Sequence, residues 1–364
     1  GKANDVAKNG IFLAILSYLV FLLIGIFAVK GFYASQTTDA VINAYGVEYL
    51  TIICVASLGI FMQSTFEKLL QSTGKTFYAM ITQGAGAIIN IILDPILIFG
   101  YFGMPKMGVA GAAVATVIGQ CTAAVMAIIM NIRVNTEIHV GMKGFKPSGS
   151  VIRQIYIIGV PSIVMQAIGS VMTYGMNRIL ITFTDTATAV FGVYFKLQSF
   201  VFMPVFGLNN GLMSILAYNY GAGKKERVMK SYKLAVCYAV AIMVVGVIIM
   251  QCIPDKLLLL FDASDHMLGI GVPALRIISA CFIPAAFGIV TGAVFQALGY
   301  AWYSMIVSIC RQLLVLLPVA YLLALTGELQ NVWWSFPAAE VMSACVTVFF
   351  LVRIRKNVIA HIGE

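Results

Sequence analysis

Charge is what this sequence has least of. Asp and Glu together number 14 in 364 residues, His and Trp only three each, and charged residues make up 10% against 61% hydrophobic. A water-soluble chain of this length needs far more charge to cover its surface, so a soluble globular protein is excluded. Nucleophile elbows, phosphate-cradling glycine loops and zinc motifs are missing as well. The seven cysteines (Cys54, Cys121, Cys237, Cys252, Cys281, Cys310, Cys345) lie in apolar runs without metal-type pairing, where cysteine acts as a small hydrophobe. His139, His266 and His361 fall in connections or the tail. These absences assign no catalytic residue, no metal and no cofactor, and they argue against an enzyme.

What the chain does have is long apolar runs, and about 20 helical residues cross a bilayer core. Ten spans are expected: Ile11–Val29, Tyr49–Phe66, Tyr78–Tyr101, Gly108–Met130, Ile155–Phe183, Ala187–Leu216, Leu234–Ile253, Val272–Gln296, Trp302–Leu325 and Val332–Leu351. The sixth is interrupted by Lys196, Gln198, Asn209 and Asn210. The runs are too long and too uniformly apolar for alternating barrel strands, so the fold class is an all-α, polytopic membrane helix bundle.

A net charge of +9 would suit a nucleic-acid binder, but its distribution points elsewhere. With Gly1 in the cytoplasm, alternate connections hold Lys2, Lys8, Lys68, Lys75, Arg133, Lys143, Lys146, Arg153, Lys224, Lys225, Arg227, Lys230, Lys233, Arg353, Arg355 and Lys356. The opposite side holds Lys30, Lys106 and Lys256. This positive-inside bias predicts a multi-pass protein of the cytoplasmic (inner) membrane with both termini in the cytoplasm, and it implies no nucleic acid.

The chain also repeats itself. Gln71, Gly74, Tyr78, Met80 and Ile81 recur as Gln296, Gly299, Tyr303, Met305 and Ile306, 225 positions on. Gly1, Lys2, Val6 and Lys8 match Gly223, Lys224, Val228 and Lys230, and Val114–Cys121 resembles Ala338–Cys345. Six spans separate the two glycine loops, so the copies share one orientation about an axis along the membrane normal. Two pseudo-symmetric lobes facing a central cavity are the expected architecture, which is that of a transporter. The boundaries are an N-terminal lobe over 1–135, a flexible cytoplasmic linker over 136–150 and a C-terminal lobe over 151–364. Two spans precede Gly223 in the second copy and none precedes Gly1, so ten spans of an expected twelve are present and two are expected upstream.

Asn90-Ile-Ile-Leu-Asp94-Pro95, the run Gly108-Val-Ala-Gly111-Ala-Ala-Val-Ala-Thr116, Tyr218-Asn-Tyr-Gly-Ala-Gly223 and the two Gln…Gly loops resemble the multidrug and toxic compound extrusion (MATE) transporters. The resemblance covers essentially the whole chain. It implies twelve helices in two lobes that export organic, often cationic, compounds in exchange for protons or sodium. One branch of that family carries carboxylates in its seventh and tenth helices, whereas here no Asp or Glu occurs over 154–184 or 267–327. Another branch pairs a first-helix Asp with an Asn and an Asp on the fifth helix; the latter two match Asn90 and Asp94.

Polar residues inside spans are functional candidates. Gln83, Asn90 and Asp94 share a helix face, and Thr116 on the next span can add a hydroxyl, giving a cation-coupling site at Asp94, Asn90 and Thr116 with Gln83 as cavity lining. The competing reading makes Asp94-Pro95 a helix end at the outer interface. Glu340 and Arg311 form either a second-lobe polar site or a purely structural ion pair. Glu67 with Lys68 reads as a snorkelling interfacial pair, and Lys196 and Gln198 as cavity lining. The expected function is secondary antiport of small organic compounds by a monomer, with a small-molecule substrate and membrane lipid as partners and proton or sodium as coupling ion. The alternatives are a flippase for lipid-linked saccharides and an inactive remnant.

Overall fold

The computed structural model describes residues 1–36 and 38–363. In chain order the helices are α1 (Lys2–Phe27), α2 (Val29–Gln36), α3 (Ala40–Val55), α4 (Leu58–Ser72), α5 (Thr76–Phe99), α6 (Val109–Arg133), α7 (Gly149–Leu180) and α8 (Asp185–Gly221). Then come α9 (Lys225–Cys252), α10 (Pro254–Leu259), α11 (Asp265–Ser279), α12 (Phe282–Ala297), α13 (Ala301–Ile309), α14 (Leu317–Ala324), α15 (Leu329–Trp333) and α16 (Ser335–Asn357). Among the described residues there is no strand. Eight helical segments are long and apolar enough to cross a membrane, and the bent pairs α3–α4 and α11–α12 bring the total to as many as ten. The chain is an all-α, polytopic membrane bundle. By its internal contacts it divides into two compact units, Gly1–Tyr156 and Ile157–Glu364.

The repeat is visible in backbone geometry. At Gly74 and Gly299 the chain turns left-handed (φ 77° and 87°), and the next amide reaches five residues back: Lys75 N to Leu70 O at 2.8 Å, Tyr300 N to Phe295 O at 2.7 Å. This glycine cap satisfies helix-end carbonyls, and only glycine adopts that φ without strain. The two bends also coincide. Between α3 and α4 the axis turns 49°, and between α11 and α12 it turns 48°. At each break a side chain bonds the carbonyl three residues back: Ser57 Oγ to Cys54 O, and Cys281 Sγ to Ile278 O, both at 2.7 Å. The amides of Ser57 and Cys281 bond those same carbonyls. Local pairing at i−3 in place of i−4 is what bends the helix.

The two units are packed differently. The first relies on small residues, with Ala110, Gly111, Ala113, Ala115, Gly119, Ala123, Ala124 and Ala127 forming the buried stripe of α6. In a bilayer, helices associate through such close backbone approach, because apolar side chains gain little by leaving lipid. A Cβ on Gly119 would lie 2.6 Å from the Gly86 carbonyl oxygen, and one on Gly111 would lie 2.6 Å from the Leu97 carbonyl oxygen. The second unit instead buries Phe191, Phe202, Phe282, Phe295 and Trp333. Between α13 and α14 its helix widens into a π turn over Cys310–Leu316. Pro318 accounts for it: proline has no N–H to offer the Leu314 carbonyl, and its ring crowds that oxygen.

The connection after α6 is tied back to α1. His139 N bonds Asn4 Oδ1 and Ser148 N bonds Asn9 Oδ1, both at 3.0 Å. Asn131, 1% exposed, donates to the Phe66 carbonyl at 2.8 Å, which fixes the end of α6 to α4.

Candidate functional site

In the first unit the glycine contacts place the polar groups. With α5 and α6 touching at Gly86 and Gly119, Asn90 on the next turn of α5 meets Thr116 on the preceding turn of α6, Nδ2 to Oγ1 at 3.2 Å. Thr116 Oγ1 in turn donates to the Ala112 carbonyl at 2.9 Å, and its two lone pairs leave capacity to accept once more beyond Asn90. Asp94 stands one turn beyond Asn90, partly buried, and its Oδ1 is buried with no hydrogen-bond partner. The helix does not end there: α5 runs through Pro95 to Phe99 and closes at Gly100, φ 77°. Asp94 therefore does not mark the end of α5. Gln83 shares the face but is exposed.

Glu67 corrects a second expectation. It is 7% exposed and accepts from Gln63 Nε2 at 3.0 Å and Thr82 Oγ1 at 3.2 Å, binding α4 to α5. Lys68 bonds Gln71 Oε1 at 3.0 Å on the exposed side. Successive residues on a helix point about 100° apart, so these chain neighbours do not share a face.

In the second unit Arg311, from the π turn, meets Glu340 on α16, Nη1 to Oε1 at 3.1 Å. Both line a cavity of about 420 Å³ with a wall of Tyr194, Phe195, Phe202, Phe206, Phe282 and Phe336. The pair is thus on a cavity wall, not sealed between helices. Gln198 lines the same cavity, with its Oε1 buried and unpartnered. Lys196 does not. It is exposed, with Nζ 5.5 Å above the Phe261 ring, and it lines neither this cavity nor the two that adjoin it at Arg311.

Several site residues escaped the sequence reading. Gln312 lines all three cavities, and Ser343 and Thr347 line a more polar one of about 580 Å³. The signal was present: Glu340, Ser343 and Thr347 follow one another at helical spacing along one face of α16.

Comparison with known proteins follows the same lines. The MatE family model matches residues 1–96 and 161–322. The multidrug export protein MepA of Staphylococcus haemolyticus is 27% identical over 313 residues, covering 86% of this chain and 68% of that protein. MepA of Staphylococcus saprophyticus is 24% identical over 359 residues, covering 98% and 78%. Among solved structures, an outward-facing multidrug resistance MATE transporter of the MOP superfamily superposes with a TM-score of 0.90 at 24% identity, covering 98% of this chain and 79% of that one. A MOP superfamily transporter from Pyrococcus furiosus gives a TM-score of 0.90 at 23% identity, covering 100% and 80%.

Proposed function

The chain belongs to the MatE family, and from that premise we propose that it exports small organic compounds in exchange for inward proton or sodium movement, with Asp94 as the coupling group. The observation that carries the reading is the unpartnered Asp94 Oδ1 within α5, one turn from the Asn90–Thr116 contact. An ionised carboxylate inside a membrane span is costly, by about 2.5–3.5 kcal/mol on insertion scales, until a proton or a cation neutralises it. Asp94 supplies the charge, while the Asn90 carbonyl and the Thr116 hydroxyl supply neutral oxygens for a bound sodium or a hydrated proton. A group that takes the ion from one side and releases it to the other ties ion entry to substrate exit.

The positive-inside bias supports placement in the cytoplasmic membrane with both termini in the cytoplasm. The relatives named for multidrug export support the substrate class. The experiment is efflux of a fluorescent organic cation from proteoliposomes, with proton and sodium gradients imposed separately. Asp94→Asn should fold and insert normally, because removing the charge lowers its burial cost, yet lose gradient-driven efflux. Normal ion dependence in that variant would make Asp94 structural.

A further inference from the structure

The second copy of the repeat carries charge that the first lacks. Residues 224–233 and 353–363 hold eight lysines and arginines and a single carboxylate, Glu226. At the start of α9 stand Lys224, Lys225, Arg227, Lys230 and Lys233; at the end of α16 stand Arg353, Arg355 and Lys356. Lys224 and Lys230 match Lys2 and Lys8, but Ala3, Asp5 and Ile11 occupy the positions of Lys225, Arg227 and Lys233. The start of α1 thus serves the same place in the repeat with two lysines, so the orientation rule does not call for the extra three. Nor do they support the helix, since cations at an N-terminus oppose its dipole.

The fold gathers both runs into one patch. After α16 the chain turns over Ile359–His361, buries Ile359 and packs Ile362 on the core. That returns it to α9, where Lys225 Nζ donates to the Ala360 carbonyl at 2.9 Å. Gly363 lies against Gly223, and a Cβ there would come within 3.2 Å of the Gly223 carbonyl oxygen. Among the described residues, the other seven Lys and Arg side chains make no ion pair or hydrogen bond, and all are exposed. Each run also tops an apolar face. Lys230, Leu234 and Tyr238 follow one another at helical spacing along α9, all of them exposed. On α16 the exposed Phe349 and Val352 lie one turn before Arg353 and Lys356.

From this arrangement we propose that the basic end of the second unit binds an anionic phospholipid of the adjoining leaflet, its phosphate on the patch and its acyl chains along the exposed faces of α9 and α16. Unneutralised charge of one sign beside apolar surface fits an amphiphile with an anionic head. A zwitterionic lipid brings a cation of its own to the patch, and a soluble anion leaves the apolar faces unused. Clusters of roughly four to eight basic residues at the ends of spanning helices attract anionic headgroups, each residue adding about fivefold in affinity.

Binding at this patch involves neither Asp94 nor a transported substrate, so it is tested at equilibrium on the purified full chain. Delipidated protein in a neutral detergent is titrated with dioleoylphosphatidylglycerol, dioleoylphosphatidylcholine or glycerol phosphate. Affinity is read from the rise in melting temperature, and native mass spectrometry counts the bound lipids. Phosphatidylglycerol should bind about tenfold or more tightly than phosphatidylcholine at low salt. At about 1 M salt, where screening acts beyond about 3 Å, the preference should shrink to about threefold or less. Glycerol phosphate, which has no chains, should not bind measurably. The variant Lys230→Gln/Arg353→Gln/Lys356→Gln loses only exposed, unpartnered charges. It should melt with the parent in the absence of lipid and show a preference of about threefold or less. Lys2→Gln/Lys143→Gln/Lys146→Gln removes the same charge from the first unit and should keep the full preference. The salt dependence is read on the parent chain and needs no variant. Equal binding of the two lipids, a preference that resists salt or survives in the second-unit variant, an equal loss in the first-unit variant, or glycerol phosphate bound as tightly as phosphatidylglycerol would overturn the proposal.

Discussion

Gly119→Ala tests the geometry of the proposed ion site without touching a polar group. An added Cβ would lie 2.6 Å from the Gly86 carbonyl oxygen and 3.2 Å from the Asn90 Cβ. A relaxed carbon–oxygen contact is about 3.3 Å, and the obstacle is backbone, which cannot swing aside. The helices α5 and α6 must therefore separate by roughly 0.7 Å, the difference between that contact and the built one. That carries the Asn90–Thr116 contact, now 3.2 Å, past the limit of a hydrogen bond. Overpacking costs about 1–3 kcal/mol, and the lost bond adds about 0.5–1.5 kcal/mol. Together they predict a fall of about 2–4 kcal/mol, on the order of 3–5 °C in melting temperature. The control is Gly84→Ala, on the partner helix α5 with nothing within 4 Å of the new Cβ. There alanine's better helix propensity should stabilise by up to about 1 kcal/mol. The assay is thermal unfolding in detergent beside the ion dependence of efflux. If Gly119→Ala melts with the parent and keeps its ion dependence, the helices are not in backbone contact and the site described here is misplaced.

Topology is open to labelling: single cysteines replacing Lys143 and Lys225 should react only from the cytoplasm, and one replacing Asp262 only from outside. Opposite accessibility of the first two would break the parallel repeat. Glu67→Gln should leave the melting temperature within a few degrees, since an amide oxygen can still accept from Gln63 and Thr82. Glu67→Ala should lower stability by about 1–3 kcal/mol, by leaving the buried Gln63 amide unmet, whereas the Thr82 hydroxyl keeps the Ala79 carbonyl; equal melting of the two variants would show that the cluster contributes nothing. Asp94→Asn, measured by efflux under separate proton and sodium gradients, should retain fold and lose coupling.

Much of this fold was legible in the sequence because the bilayer imposes a length and a composition that few other settings do. The spans could be read from apolar runs, and the repeat from loops where glycine is required. Gly74 and Gly299 recur because both adopt a left-handed cap that other residues resist. The bends were hidden: Ser57 and Cys281 perform the same bonding with different atoms, so residue identity does not reveal their equivalence. Asn90 and Asp94 could be grouped from helical spacing and Thr116 added from the next span, but the approach of Asn90 to Thr116 depends on glycines one turn away that spacing alone does not weigh. Lys196 and Glu67 could not be placed from sequence for a common reason. A polar residue in an apolar run can face a cavity, a neighbouring helix or the outside, and only packing distinguishes the three. The chambers around Arg311 were the least legible, because a π turn set by Pro318 rotates the chain by an extra residue that no regular period predicts.

The backbone contact between α5 and α6 has a mechanical consequence. Two helices whose backbones approach closely at glycines have little freedom to slide past one another, and Asn90 and Thr116 are mounted on them one hydrogen bond apart. In the role proposed for Asp94, release of an ion would then come less from pulling those two groups apart than from water admitted to the unpartnered carboxylate oxygen or withdrawn from it. A coupling group of that kind would sense hydration, and the ease with which it empties would be set by how many water molecules reach the carboxylate on each side of the membrane.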